Sequence, residues 1–392
     1  MHTIQLKKNE ERRLLKGHQW IFSNELTSIP KDIPSGEIVK LVSHDNRFVG
    51  VGFYNPHSLI AFRLLSRNDE AINDEFFKKR LKTALDFRLL RYPSNITNAF
   101  RLIHSESDFM PGLVIDKFND IISIQTFSMG MELWLEVLGE LLKEQFNPRM
   151  IVLRNESQLR IQEGLGTYKK IVLGELESPK TLIHSYNISY EIDAVEGQKT
   201  GFFLDQRENR KRIEPYSKNA NVLDVFSNDG GFALHALHAD AKNVTIMDSS
   251  ETAIERSINN FKLNNLSNYD SIQDDAFDAL KKLIQQDKNY DLIVLDPPSL
   301  TKSKKALPNA IRAYKKLNKM CLQLLKNGGI LATASCSHHV FEDKFFEIIN
   351  QSAQELRVKL RLLEKGFQAP DHPVLTMMPE TQYLKFAIFQ KC

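Results

Sequence analysis

The stretch from about residue 219 to residue 337 constrains this chain most. Short apolar strands alternate there with helices, and each strand stops at a polar residue able to do chemistry. Asn221 to Phe226 runs into Gly230-Gly231 and a helix start. Asn243 to Met247 ends at Asp248, and a helix is expected from about Glu251 to Leu263. Leu292 to Leu295 ends at Asp296 ahead of a basic helix, and Ile330 to Ala334, the last strand of the run, ends at Ser335-Cys336-Ser337. Such alternation predicts an α/β fold with a parallel, doubly wound sheet. Ligands of such sheets lie at the carboxyl ends of the strands, so the residues at those ends are the candidates for function.

The remainder of the 392 residues is enough for further domains. Glu37 to Val42, Phe48 to Phe53 and Ile60 to Leu65 read as short strands separated by turn residues, which predicts a small β-barrel over 1–70. Residues 1–68 hold ten Lys/Arg against six Asp/Glu, so the basic excess of the whole chain, +3, is matched there. A helix is expected from about Asn73 to Leu90, broken at Pro93-Ser94-Asn95. The pattern over 71–180 is α+β, with Pro111-Gly112 turning the chain between strands, a strand at Ile121 to Phe127 and a helix at Met131 to Phe146. The third domain is 181–392.

With 42% apolar and 26% charged residues the chain is globular rather than disordered. No apolar run approaches a membrane span, and the opening MHTIQLKKNEERR lacks the apolar core of a secretory signal. Three widely spaced cysteines fit neither a disulfide framework nor a zinc cluster, so a cytoplasmic protein with reduced thiols and no metal site is expected.

In Asp224-Val225-Phe226-Ser227-Asn228-Asp229-Gly230-Gly231 the turn lets backbone N–H groups approach a ligand closely, although its spacing is not that of a nicotinamide dinucleotide site. Asp248, 24 positions after Asp224, is placed to accept both ribose hydroxyls of an adenosyl cofactor, and Asp275 to meet an adenine edge. Any one of these acids alone is more readily an N-cap or loop carboxylate than a ligand, but three at successive strand ends point to a ligand. Asp296-Pro297-Pro298 fixes a rigid loop that can aim a carboxylate at a planar, amide-like edge. Ser299 and Leu300 follow where amino-methylating enzymes carry an aromatic, which argues against an exocyclic nitrogen as target. Cys336 faces the same cleft as Asp296 and reads as a nucleophile, whereas Cys321 reads as a buried core thiol and Cys392 as incidental.

Together these residues resemble the class I S-adenosylmethionine-dependent methyltransferases, and more narrowly the bacterial ribosomal RNA large-subunit methyltransferase I-like family, PUA-domain enzymes that make 5-methylcytosine. Further segments carry the resemblance: Arg12-Arg13 with Gly17-His18-Gln19-Trp20-Ile21-Phe22 at the opening, Glu106-Ser107-Asp108-Phe109-Met110-Pro111-Gly112-Leu113 in the middle, and Gly197-Gln198-Lys199-Thr200-Gly201-Phe202-Phe203-Leu204-Asp205-Gln206-Arg207 ahead of the sheet. The resemblance implies an N-terminal PUA β-barrel, a central α+β domain and a C-terminal Rossmann-like catalytic domain.

It further implies S-adenosylmethionine held by Gln198, Lys199, Thr200, Phe203, Asp205, Arg207, Asp224, Phe226, Ser227, Gly230, Asp248, Ser249, Asp275, Ala276 and Asp296. Cys336 and Asp296 would be catalytic, and Pro297 and Pro298 would meet the substrate, 23S ribosomal RNA; Lys302, Lys304 and Lys305, beginning soon after Asp296, are expected at its phosphates from the basic run they open. One departure is Asn228-Asp229, where the family usually has Tyr-Thr. From Thr301 to Lys319 there are seven basic residues and no acid, a run suited to a polyanion. The readings left open are methyl transfer to a guanine nitrogen or to uridine C5, and a non-catalytic RNA-binding assembly factor. Oligomeric state is not legible, with a homodimer one expectation.

Overall fold

A computed structural model describes residues 1–392 apart from Ser178 and Lys302, with Lys304 described by its backbone alone. The chain divides into two compact units. The first is 1–184 with 192–204 and 370–381, and the second is 185–191 with 205–369 and 382–392.

The first unit opens with a five-stranded sheet ordered Thr3–Gln5, Ile38–Val42, Phe48–Tyr54, Phe62–Ser66, Trp20–Ile21. Its inward faces bury Ile4, Leu41, Tyr54, Phe62 and their neighbours in one core. The helix Asp74–Arg91 follows, capped by the Asn73 side chain, which accepts from Phe76 N. A second five-stranded sheet is ordered Tyr168–Leu173, Met150–Asn155, Ile121–Thr126, Leu113–Phe118, Ala99–His104. The helix expected over 131–146 is interrupted at Trp134, giving Met129–Leu133 and Leu135–Phe146. Two of the segments that carry the resemblance meet inside this unit. Gln19 donates to the Glu106 carbonyl at 2.9 Å and the Trp20 indole to the Glu106 carboxylate at 2.9 Å. Arg63, buried, bridges Glu106 at 3.2 Å and Glu163 at 2.8 Å. Losing one partner would strand a buried charge, a cost of about 3–5 kcal/mol.

The second unit is a seven-stranded sheet. Its strands in chain order are β1 Asn221–Val225, β2 Asn243–Asp248, β3 Tyr269–Gln273, β4 Tyr290–Leu295, β5 Leu325–Ser335, β6 Leu360–Gly366 and β7 Lys385–Lys391. Their order across the sheet is β3-β2-β1-β4-β5-β7-β6. The pairs from β3 to β5 are parallel, and β7 is antiparallel to both β5 and β6. Helices α1 Gly231–His238, α2 Glu251–Leu263, α3 Ala276–Gln285, α4 Leu307–Leu324 and α5 Glu342–Glu355 connect them. β1, β2 and β4 have buried apolar centres, such as Leu223, Ile246 and Ile293, as strands covered on both faces require. The strand order reverses between β1 and β4, the switch point at which such sheets bind ligands. Sequence reading ended the sheet at Ala334 and so missed β6 and β7. Among the described residues, no helix is long and apolar enough to cross a membrane.

Candidate active site

The turn after β1 is held against the end of β2. Phe226 N and Ser227 N both donate to the Met247 carbonyl, at 2.9 and 3.0 Å. Phe226, Asn228 and Gly230 all take positive φ (66°, 47° and 72°). For Phe226 and Asn228 that is strained backbone, the kind kept at functional sites. A Cβ at Gly231 would lie 2.4 Å from Arg210 Nε, so a side chain there would have to displace that arginine.

Asp224 is 1% exposed, and its Oδ2 accepts from Ala233 N at 3.0 Å, tying β1 to the start of α1. Burial pushes its carboxyl up to about 7, and the charges of Asp296 and Asp248 add to the shift. Asp248 accepts from Asn228 N through Oδ2 and from Ser250 N through Oδ1, both at 3.0 Å. Asp275 caps α3, accepting from Phe277 N at 2.9 Å. Ala276 beside it is buried and Ser249 is exposed.

The departure at Asn228-Asp229 has a structural partner. Arg256 Nε meets Asp229 Oδ1 at 2.6 Å, and an Arg256 terminal nitrogen donates to Asn228 Oδ1 at 3.1 Å. The added carboxylate is therefore compensated from α2, although burial still pulls its proton affinity upward.

Asp296 follows β4, and its N–H points back to the Val225 carbonyl at 3.4 Å. Cys336 Sγ lies 3.9 Å from the Pro297 carbonyl, so the ends of β4 and β5 bring the Asp-Pro-Pro loop and the thiol together. Ser337 fastens this arrangement: its Oγ lies 3.2 Å from Ser299 Oγ and 2.9 Å from the Tyr314 hydroxyl on α4. Lys385, at the start of the missed β7, is buried and donates to the carbonyls of Ser337 at 2.8 Å and Tyr383 at 2.7 Å. Burial brings this amine down to about 8, with the charge of Cys336 pulling the other way. Sequence reasoning missed Lys385 because it missed the strand that delivers it. Cys321 is buried in the core with its thiol pushed up by burial, and Cys392 is exposed, as expected.

The segment ahead of the sheet spans both units. In the first, Thr200 Oγ1 donates to Asp116 Oδ2 at 2.6 Å, Lys199 Nζ lies 4.5 Å from the Phe203 ring centre, and Gln198 is exposed. In the second, Asp205 and Arg207 are buried, and Asp205 Oδ2 accepts from the Tyr383 hydroxyl at 2.6 Å. Of the basic run, Lys315 and Lys319 pair with Glu355 on α5 at 2.6 and 2.9 Å, so that part is a paired helix face. Lys305 is exposed in the turn before α4, while Pro297 is buried and Pro298 exposed. Lys302 and the Lys304 side chain lie outside the described residues.

His235 on α1 gives a testable pH dependence. Burial brings its imidazole down to about 4, against the opposing pull of Glu214 Oε1 at 2.7 Å. The unfolded chain protonates first as pH falls, so stability from this group is present above about 6.5 and lost by about pH 4, roughly 3 kcal/mol. Asp224, shifted upward to about 7, opposes it throughout that window. The comparison is therefore with His235→Gln: denaturant unfolding should show a shallower loss of stability between those pH values in the variant.

A Rossmann-like sheet with carboxylates at successive strand ends, a strained glycine turn and a half-buried thiol beside an Asp-Pro-Pro loop defines a class I methyltransferase. Two family models match the chain: PUA-like domains over residues 4–67 and S-adenosylmethionine-dependent methyltransferases over residues 175–380. The chain belongs to the family of ribosomal RNA large subunit methyltransferase I. It is 35% identical to that enzyme of Shewanella denitrificans, with 97% of each chain covered. It is 36% identical to that of Klebsiella pneumoniae, with 97% of this chain and 96% of the other covered. In fold it is similar to SMU.776, a methyltransferase crystallised with SAH, at 22% identity and TM-score 0.86 over 100% of both chains. It is also similar to a methyltransferase from Streptococcus mutans, at 21% identity and TM-score 0.83 over 100% of both chains.

The cofactor is S-adenosylmethionine, and the residues present fit it. Asp224 Oδ1 and Ser227 Oγ, on β1 and in the turn that follows it, are buried without a hydrogen-bond partner among the described residues.

Proposed function

We propose that the protein methylates carbon 5 of a cytosine in 23S ribosomal RNA, through a covalent bond between Cys336 and carbon 6. The observation that carries this reading is the thiol of Cys336 at 3.9 Å from the Pro297 carbonyl, next to Asp296. Carbon 5 of cytosine is a poor nucleophile. Addition of the Cys336 thiolate to carbon 6 pushes an electron pair onto carbon 5, which then bonds the methyl group. The cofactor supplies that methyl from its sulfonium. Asp296 faces N3 and the exocyclic amine, where charge develops on the ring. Loss of the carbon 5 proton then returns the electron pair, and the bond to sulfur breaks. The target must be unstacked to enter the cleft, with Pro297 and Pro298 as a rigid floor.

For the cofactor, Asp248 and Ser249 are assigned to the ribose, Asp275 and Ala276 to the adenine, and Asp224, Phe226, Ser227 and Gly230 to the turn around it. Gln198, Lys199, Thr200, Phe203, Asp205 and Arg207 complete the proposed site by resemblance, and Asp296 borders it. The proposed domains are 1–70, 71–180 and 181–392, in a cytoplasmic enzyme. The relatives' names support the ribosomal substrate. Nucleoside mass mapping of 23S ribosomal RNA from cells lacking the protein tests the whole reading: one 5-methylcytidine should disappear. Loss of a methylated guanine or of 5-methyluridine instead would move the target atom.

Lys302, Lys304 and Lys305 are assigned to phosphates flanking the target. Replacing all three with Ala should reduce the slope of log affinity against log salt by roughly 2 to 3 and leave cofactor affinity unchanged. An unaltered slope would leave these lysines as solvated surface.

A further inference from the structure

Lys385 is a buried amine that no carboxylate balances. It is 5% exposed, and its Nζ donates to two backbone carbonyls, those of Ser337 at 2.8 Å and Tyr383 at 2.7 Å. Burial lowers its proton affinity, and among the described residues the one charge acting on it is that of Cys336, which raises it. Lysines are almost never buried this far unless paired, because an ammonium taken out of water is costly. The thiol of Cys336 is the group at hand that can become its counter-charge.

Strand register delivers the amine to this place. β7 runs antiparallel to β5, and Lys385 stands opposite Ser335, the last residue of β5 and the one before Cys336. From there the side chain reaches the carbonyl of Ser337, so it grips the backbone on the far side of the thiol. The Ser337 hydroxyl is held in turn by Tyr314 at 2.9 Å and Ser299 at 3.2 Å. Both neighbours of Cys336 are thereby fixed, one in the strand and one by side chains.

Lys391, six residues on in the same strand, is a structural lysine for comparison. It is buried as well and donates to the carbonyls of Leu322 at 2.8 Å and Leu325 at 2.6 Å, closing the end of α4. Burial is the one cause that lowers its proton affinity, and no charge acts on it among the described residues. The two lysines share a way of binding backbone and differ in the thiol.

We propose that Lys385 is a positioning residue for the Cys336 nucleophile, whose ammonium fixes the backbone around the thiol and supplies the positive charge that favours the thiolate. The proposal rests on the reading of Cys336 as the nucleophile. The thiol proton passes to water and Lys385 keeps its own, so ammonium and thiolate face the base when it enters. Other titratable groups surround the pair. Asp296, on the Asp-Pro-Pro loop, disfavours a second anion in the cleft and so increases the need for a cation. The Tyr314 hydroxyl is pushed up to about 12 by burial, with the charge of Cys336 adding to the shift, and stays protonated. His338 is exposed, its ring 5.6 Å from that of Tyr383, whose hydroxyl donates to Asp205, and His339 is half-buried beside it. Glu342 on α5 lines the same small recess as Lys385 but pairs with Lys365 on β6 at 2.7 Å.

The test follows alkylation of Cys336 by iodoacetamide in the full-length protein, read by peptide mass spectrometry from about pH 6 to about pH 10. Wild type should reach half its maximal rate below about pH 8.5, the value of an ordinary thiol. Lys385→Gln keeps a neutral donor and should move that midpoint up by about one unit, a tenfold loss of thiolate at neutral pH. Lys385→Arg keeps the charge and should bring the midpoint back, whereas Lys391→Gln should cost stability and leave it in place. In Lys385→Gln, kcat for protein-free 23S ribosomal RNA at neutral pH should fall roughly three- to tenfold, since the more basic thiolate is also the better nucleophile. It should recover as pH is raised, with S-adenosylmethionine affinity unchanged. A wild-type midpoint at or above about 8.5 overturns the proposal without any variant having to fold. So does a midpoint equal in wild type and Lys385→Gln, or one shifted alike by Gln and Arg, which would make the effect one of packing. In these cases the covalent reading stands as long as Cys336→Ala is inactive. A Cys336→Ala enzyme that methylates normally overturns that reading, and the role of Lys385 with it.

Discussion

Cys336→Ala should abolish methyl transfer while the folded protein still takes up S-adenosylmethionine with its wild-type affinity. The thiol is half-buried at the end of β5 and lies 3.9 Å from the Pro297 carbonyl, so it borders the space assigned to the base rather than the strand ends assigned to the nucleoside. Without a nucleophile carbon 5 is not activated, and kcat should fall by roughly 10³-fold or more, the scale on which loss of a nucleophile is felt. Cys336→Ser should behave nearly the same, because a hydroxyl without an adjacent base is a far weaker nucleophile. Cys321→Ala is the internal control: that residue lies on the buried face of α4, in the core, and its loss should cost stability but not the reaction. RNA carrying 5-fluorocytidine at the target sharpens the test. Fluorine cannot leave as a proton does, so wild type should be trapped on the RNA in a complex that survives denaturation, and Cys336→Ala should not. A Cys336→Ala enzyme that methylates RNA at the normal rate would end the covalent mechanism.

The candidate site was legible wherever a functional residue stands at the end of a strand with a clear apolar pattern. β1, β2 and β4 have buried centres of Val, Leu and Ile, and the residues after them, in the turn at 226–231, at Asp248 and at Asp296, could be singled out on that basis. α2 was expected over Glu251 to Leu263 and is found there, capped by Ser250. What stayed hidden depends on contacts distant in sequence. β6 has an exposed, charged face, reading Leu-Arg-Leu-Leu-Glu-Lys-Gly, and β7 pairs antiparallel with β5 after a long irregular stretch, so neither continues the strand-helix rhythm. With β7 went Lys385 and the hydrogen bonds that fix the loop around Cys336. The pairing of Lys315 and Lys319 within the basic run at 301–319 was hidden for a related reason. Their balancing acid, Glu355, is 36 positions from Lys319 and reaches it only when α5 packs beside α4. The same holds for Asp229, whose charge looked anomalous until α2 supplied Arg256.

Asp248→Ala should weaken S-adenosylmethionine binding by about 2 kcal/mol or more, close to thirtyfold, as expected when charge-assisted hydrogen bonds to a ligand are lost. The carboxylate already accepts the N–H groups of Asn228 and Ser250 at 3.0 Å each. An ionised carboxylate has about four acceptor positions, so two remain for the ribose hydroxyls. These backbone contacts also mean that the substitution frees the turn at 227–229, and a loss of affinity has two sources to be separated. Unfolding measured without cofactor isolates the second, because it reports the loop alone. Unfolding with cofactor reports the first through linkage: ligand at 100 times its Kd stabilises wild type by about 2.7 kcal/mol, and the same concentration should stabilise a variant bound thirtyfold more weakly by only about 0.9 kcal/mol. Asp248→Asn keeps one acceptor oxygen and should fall between the two. If Asp248→Ala lowers stability without cofactor but gains as much from the ligand as wild type, Asp248 only braces the turn, and the ribose is held elsewhere.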